Sequence, residues 1–126
     1  MARLKDPENQ ACAELCQEIF AKLGALRVKA MFGGAGIYAD EVFFVLIADG
    51  EIYLKADAAL AERLAAAGSR QFVWTNPSDG KQMAMSYWRL PESALDDLDE
   101  AEQWGRAALA VAQQAALKKA VKKKRG

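Results

Sequence analysis

The run Val42-Phe43-Phe44-Val45-Leu46-Ile47-Ala48-Asp49-Gly50-Glu51-Ile52-Tyr53-Leu54-Lys55 decides the fold. Its first seven residues are apolar at both parities, the pattern of a strand buried on both faces and central in its sheet. Asp49-Gly50 signals a two-residue hairpin, because a tight turn that matches strand twist needs residues that accept positive φ. The return strand, Glu51 to Lys55, alternates. Ile52 and Leu54 share one face, and Glu51, Tyr53 and Lys55 share the other. A short hairpin link of this kind implies an antiparallel sheet.

Toward the N-terminus, Val28 to Phe32 reads as a short strand and Gly33-Gly34-Ala35-Gly36 as a bend. Ile37-Tyr38-Ala39 resumes extended chain, and Asp40-Glu41 makes a turn. Glycines in such a place supply positive φ or let another backbone come close. Upstream, Asp6-Pro7-Glu8 opens a helix with a cap, a first-turn proline and an acid matched to the helix dipole. Ala11, Cys12, Leu15, Cys16, Ile19, Phe20 and Leu23 recur at helical spacing, and Gly24 ends the run.

Toward the C-terminus, Asp57 caps a short helix anchored by Leu60 and Leu64 and stopped by Gly68. Gln71 to Thr75 and Gln82 to Leu90 are strands on either side of the turn cluster Asn76 to Gly80. In the second of them Met83, Met85 and Tyr87 alternate against Ala84, Ser86 and Trp88, and Pro91 stops it. Asp97 caps a long helix whose stripe is Leu98, Ala101, Trp104, Ala108, Val111, Ala112 and Ala115. Leu117 and Val121 fall off that stripe, so the helix is expected either to fray there or to meet something outside this domain. The expected fold is α+β in the order α-β-β-β-α-β-β-α, two layers, with a mainly antiparallel sheet covered by helices on one face.

With 126 residues, 52% of them hydrophobic, the chain has apolar mass for one core and no room for two. We therefore read residues 1–117 as a single domain and 118–126 as a basic flexible tail. No apolar run approaches the roughly 18 residues needed to cross a bilayer. The first residues turn acidic at once and lack a signal peptide's apolar core. The expected location is the cytoplasm, with no membrane partner. Lysines and arginines equal aspartates and glutamates at 17 each, but six of the basic residues are Lys118, Lys119, Lys122, Lys123, Lys124 and Arg125. Setting those six aside leaves 11 basic residues against 17 acidic, an acidic body with a basic end.

The absence of histidine removes Ser-His-Asp and Cys-His machinery and the commonest transition-metal ligand. Cys12 and Cys16 lack two further soft ligands for a zinc site and lie on the apolar stripe, where cysteine packs as a small hydrophobe. Gly33 to Gly36 lacks the Gly-Lys-Ser/Thr ending of a phosphate-binding loop and has strand-forming residues on both sides. Ser86 lies in a strand without a base partner. Tyr53, Lys55 and Ser86 could line a cleft for a small molecule. Asp96, Asp97, Asp99, Glu100 and Glu102 suit a helix start. The basic end could contact phosphates, although no aromatic residue interleaves with its lysines.

Met31-Phe32-Gly33-Gly34-Ala35-Gly36-Ile37-Tyr38, Phe43/Phe44, Ile52-Tyr53-Leu54-Lys55-Ala56-Asp57, Met85-Ser86-Tyr87 and Leu90-Pro91-Glu92 together resemble the TfoX N-terminal domain family across roughly residues 12 to 112. The resemblance implies a bacterial α+β domain with a mainly antiparallel sheet, linked to regulation of DNA-uptake genes. It brings no catalytic residue and no cofactor. Full-length regulators of this type add a C-terminal helical domain, where this chain has only its basic end.

The expected function is thus a regulatory module acting by protein contact, not an enzyme, with no cofactor and no metal. The contact surface is expected around Gly33, Gly34, Gly36, Tyr38, Tyr53 and Lys55. Nucleic-acid binding through Lys118, Lys119, Lys122, Lys123, Lys124 and Arg125 is the second reading, and a small-molecule site is the third. Homodimer formation through an exposed edge strand stays open at this point.

Overall fold

The computed structural model describes residues 7–31 and 34–125, with side chains as far as residue 120. Helix α1 (Pro7–Ile19) leads through a 3-10 turn at Ala21–Leu23 into four strands, β1 (Leu26–Met31), β2 (Gly34–Ala39), β3 (Val42–Ala48) and β4 (Glu51–Lys55). Helix α2 (Ala58–Ala66) follows, then β5 (Gln71–Thr75), β6 (Gln82–Arg89), a 3-10 turn at Glu92–Asp96, and helix α3 (Leu98–Arg125). The strands form one antiparallel six-stranded sheet in the order β1-β2-β3-β4-β6-β5.

The fold class is the expected one, with a fourth strand before α2. The glycine-containing stretch is two strands of a hairpin, with Leu26 opposite Ala39 and Met31 opposite Gly34. Alternation alone does not distinguish one bent strand from two paired ones. Gly34 shows why glycine is needed in β2. A Cβ there would overlap the carbonyl oxygen of Ile47 on β3, so a bare backbone is what lets the two strands meet.

The turns form as their residues require. Asp40 and Glu41 have φ of 47° and 68°, and Asp49 and Gly50 have 49° and 73°, so both hairpins close on two left-handed residues. The Gly50 N–H donates to Asn9 Oδ1 at 2.8 Å, which ties the β3–β4 turn to α1. Asn9 is fully buried, and this bond satisfies part of its polarity.

Capping follows the expectation for α2 and α3. Asp57 Oδ1 accepts from Leu60 N at 2.9 Å, and Asp97 Oδ1 accepts from Asp99 N and Glu100 N at 3.0 and 3.1 Å. Asp6 lies outside the described residues.

Helices pack on one face of the sheet. Ala35, Ile37, Val45, Ile47, Ile52 and Leu54 meet Cys16, Phe20, Leu60, Leu64, Ala101, Ala108 and Ala112 there. The β2–β3 register shifts between Ile37 and Tyr38, which brings Phe44 into the core beside Val45 and against Phe20, ring centroids 5.6 Å apart.

Two expected stripes are corrected in detail. In α1 it is Asn9 and Ala13, not Ala11, that lie buried. In α3, Leu98 is 61% exposed while Leu109 is buried, because the helix meets the sheet only after its first turn. The fraying expected at Leu117 does not occur, and α3 runs unbroken to Arg125. Alanine, leucine and lysine are strong helix formers that need no tertiary contact to continue a helix already nucleated.

Candidate functional site

The other face of the sheet carries no helix. Strand alternation places there the side chains that the core does not take: Tyr38 of β2, Phe43 and Leu46 of β3, Tyr53 and Lys55 of β4, Phe72 and Trp74 of β5, and Met83, Met85 and Tyr87 of β6. The pairings agree, with Leu46 opposite Tyr53, Lys55 opposite Tyr87 and Trp74 opposite Met83.

Strand β4 is short and ends at Lys55, where the chain turns away toward α2. Past Lys55 the Ala56 N–H still donates to the Ser86 carbonyl at 3.0 Å, and on the open face Phe43 of β3 and Met85 of β6 border a hollow. The hollow has a volume of about 230 Å³ and is lined only by apolar and aromatic side chains, among them Phe43, Leu46, Trp74, Met85 and Tyr87. Met83 is 55% exposed at its rim.

A second cleft of about 300 Å³ shares Phe43 and Tyr87 with the first. It opens at the end of β4 beneath α3 and brings together Tyr38, Lys55 and Lys119. Tyr38 stacks on Phe43 with centroids 5.3 Å apart, and Phe43 lies 5.6 Å from Tyr87. Lys55 Nζ sits over the Tyr87 ring at 5.2 Å, and the Arg27 guanidinium over Tyr38 at 4.6 Å. Burial, reinforced by Tyr38, pushes the Tyr87 phenol up to about 12. Beyond the first hollow, Tyr53 packs against Phe72 at 4.8 Å and borders a third concavity with Arg70 and Arg89. Burial raises the Tyr53 phenol, with Glu51 adding to it.

The acids at this face are already engaged. Glu41 pairs with Arg27, and Glu51 pairs with Arg89, each at 2.8 Å. Lys55, Arg70 and Lys119 form no ion pair among the described residues.

Of the expected contact residues, Tyr38 and Lys55 meet in one cleft, whereas Tyr53 lies on the same face but farther along. Gly34 and Gly36 are buried strand residues, and a Cβ at Gly36 would press on Met31 and Phe43. Gly33 lies outside the described residues. Lys119 reaches the cleft and Lys118 is exposed on α3. Lys122, Lys123, Lys124 and Arg125 lie on the helix, and their side chains are outside the described set. Phe43, Leu46, Phe72, Trp74, Met83, Met85 and Tyr87 were not anticipated as site residues. The signal for some of them was present, since Met83, Met85 and Tyr87 make an apolar run along one parity of β6 that only Arg89 at its end interrupts.

The reactive side chains are poorly placed for chemistry. Burial raises the Cys16 thiol far above its usual range, and burial followed by Glu51 and Glu8 raises Cys12, so both stay protonated at neutral pH. Ser86 points away from Lys55's face of the sheet. No helix of the described residues is long and apolar enough to cross a membrane, and no group of three or more Cys, Asp or Glu side chains among them could hold a metal ion.

A family model described as the TfoX N-terminal domain matches residues 18–112. The chain is 31% identical over 78 residues to Protein Sxy of Escherichia coli, covering 61% of this chain and 36% of that protein. It is 27% identical over 70 residues to DNA transformation protein TfoX1 of Aliivibrio fischeri, covering 56% and 34%. The chain thus spans about a third of the length of these curated relatives.

Proposed function

The chain belongs to the TfoX N-terminal domain family, and from that premise we propose that it is a regulatory module that works by macromolecular contact through the open face of its sheet. The observation that carries this reading is the uncovered aromatic and methionine surface around the end of β4, in a molecule whose two thiols are held protonated. Contiguous apolar surface rimmed by polar groups marks an interaction site. The link to DNA uptake rests on the family and on a relative whose name is DNA transformation protein.

The test is genetic. Transformation frequency and transcripts of DNA-uptake genes are measured in the bacterium carrying this protein, in its deletion strain, and in a strain with Trp74→Glu. Loss of both readouts on deletion and on Trp74→Glu, with the variant folded and abundant, supports the reading. A deletion that moves neither readout refutes the link to DNA uptake. A folded Trp74→Glu protein that behaves as wild type refutes the role of the open face.

A further inference from the structure

We propose that the open sheet face and the adjoining cleft bind single-stranded nucleic acid, with bases stacked on the exposed rings and phosphates met by Lys55, Arg70 and Lys119. The proposal rests on the reading of this face as the contact surface and names its occupant.

Three observations carry it. The first is the ring content. Tyr38, Phe43, Tyr53, Phe72, Trp74 and Tyr87 stand on one face, and all six are half-buried. Each is held by its neighbours yet keeps surface for a partner. Every base has a π-face, so a platform of rings accepts single strands with little regard to sequence. A duplex keeps its bases stacked inside and cannot use such a platform.

The second observation is the charge. Lys55, Arg70 and Lys119 lie along this surface without an ion-pair partner among the described residues, while both glutamates beside them are held by arginines. The remainder of the domain is acidic, so a polyanion is repelled elsewhere and drawn here.

The third is continuity. Lys119 belongs to the basic run, and the helix that carries it places it in the same cleft as Tyr38 and Tyr87. The aromatic partners that the basic run lacks in sequence are supplied by the sheet. An apolar peptide with acidic flanks would also find cations here. The rings favour nucleic acid, since a peptide groove needs depth for aliphatic anchors more than flat π-surface.

The experiment is fluorescence anisotropy of a labelled 15-nucleotide oligothymidylate and oligouridylate against the full chain between 50 and 200 mM salt, with a blunt duplex and an acidic-flanked amphipathic peptide as rivals. We expect single strands to bind with a log–log salt slope of about −2, from about 0.7 for each of three phosphate contacts. Trp74→Ala should weaken binding about tenfold with the slope unchanged, as the loss of one stacked base predicts. The doubly substituted Lys55→Gln/Lys119→Gln chain should flatten the slope, and because it changes mainly charge it keeps the test valid if Trp74→Ala fails to fold. Equal affinity for the duplex overturns the proposal. So does binding that is indifferent to all three substitutions. If the peptide binds and the oligonucleotides do not, the occupant is wrong and the contact reading survives. If nothing binds, the nucleic-acid proposal falls, and the contact reading is decided by the Trp74→Glu strain.

Discussion

The two faces of the sheet are built from different side chains and do different work. The helix-covered face is mainly aliphatic and, apart from the Phe20–Phe44 pair, is filled by branched side chains such as Ile37, Val45, Ile47 and Leu54, all fully buried. The open face is aromatic and half-buried, with Tyr53, Phe72 and Trp74 in partial contact with solvent. Branched aliphatics fill a closed interior at high density, whereas rings stack on one another and keep a flat side outward. The stability of the domain thus resides mainly on one face and the proposed contact surface on the other, and four substitutions test that division.

The largest effect is expected at Gly34, which serves the sheet itself. Gly34→Ala sets a methyl into the Ile47 carbonyl, so β2 and β3 must separate. A loss of about 4 kcal/mol or more is expected, read as a chemical-denaturation midpoint that falls to a trace of folded protein. A near-native midpoint would show that the two strands do not meet this closely.

Leu54→Ala removes a fully buried leucine from the covered face and should cost about 3 kcal/mol with the denaturant slope unchanged. A loss below about 1 kcal/mol would erase the distinction between the faces.

The third test uses pH. The Tyr87 phenol stands near 12 in the fold against 10.0 unperturbed. A raised pKa means that its contribution is complete below pH 10 and is lost as pH rises through 12. The difference between the stability curves of wild type and Tyr87→Phe should therefore be flat to pH 10 and change between pH 10 and 12. A difference that does not vary across that window would place Tyr87 in solvent.

The smallest effect is expected for Trp74→Ala on the open face. It should lower stability by about 1 kcal/mol or less, although the same change removes a ring from the proposed contact surface. A loss as large as that of Leu54→Ala would mean that the open face is part of the core.

Much of this architecture is legible in the sequence where a single residue has a single physical use. Asp49-Gly50 and Asp40-Glu41 close hairpins, Asp57 and Asp97 cap helices, and Met83, Met85 and Tyr87 share a side of β6. Three features depend on distance in space and are not written locally. The stretch around Gly34 is a hairpin because Arg27 finds Tyr38 across it. Asn9 is buried where its Oδ1 accepts from the Gly50 N–H of a turn 41 residues away. The hollow is lined by side chains of β3, β5 and β6, which the sheet order brings together from distant stretches of sequence. Alternation sorts the residues of a strand between two faces, but it does not say which face a helix will cover. Tyr38 and Lys55 were therefore recognisable as candidates, while Phe43, Phe72 and Trp74 looked like ordinary strand apolars.

Helix α3 is one rod of 28 residues, about 42 Å long at roughly 1.5 Å per residue. Among the residues whose side chains are described, its last buried one is Ala112, and the turns from there to Ala120, roughly 12 Å of rod, stand clear of the core. A cation on a loose tether samples a wide volume, and its effective concentration at any one spot is diluted accordingly. Lys119 on a rod does not wander. Its distance from Lys55 is set by helical geometry, and whatever orders the outer turns of α3 also sharpens the electrostatic field at the mouth of the cleft. Helicity near residue 119 then becomes a dial on the site, one that a single proline at Ala115 would turn to zero while leaving the sheet and its two faces as they are.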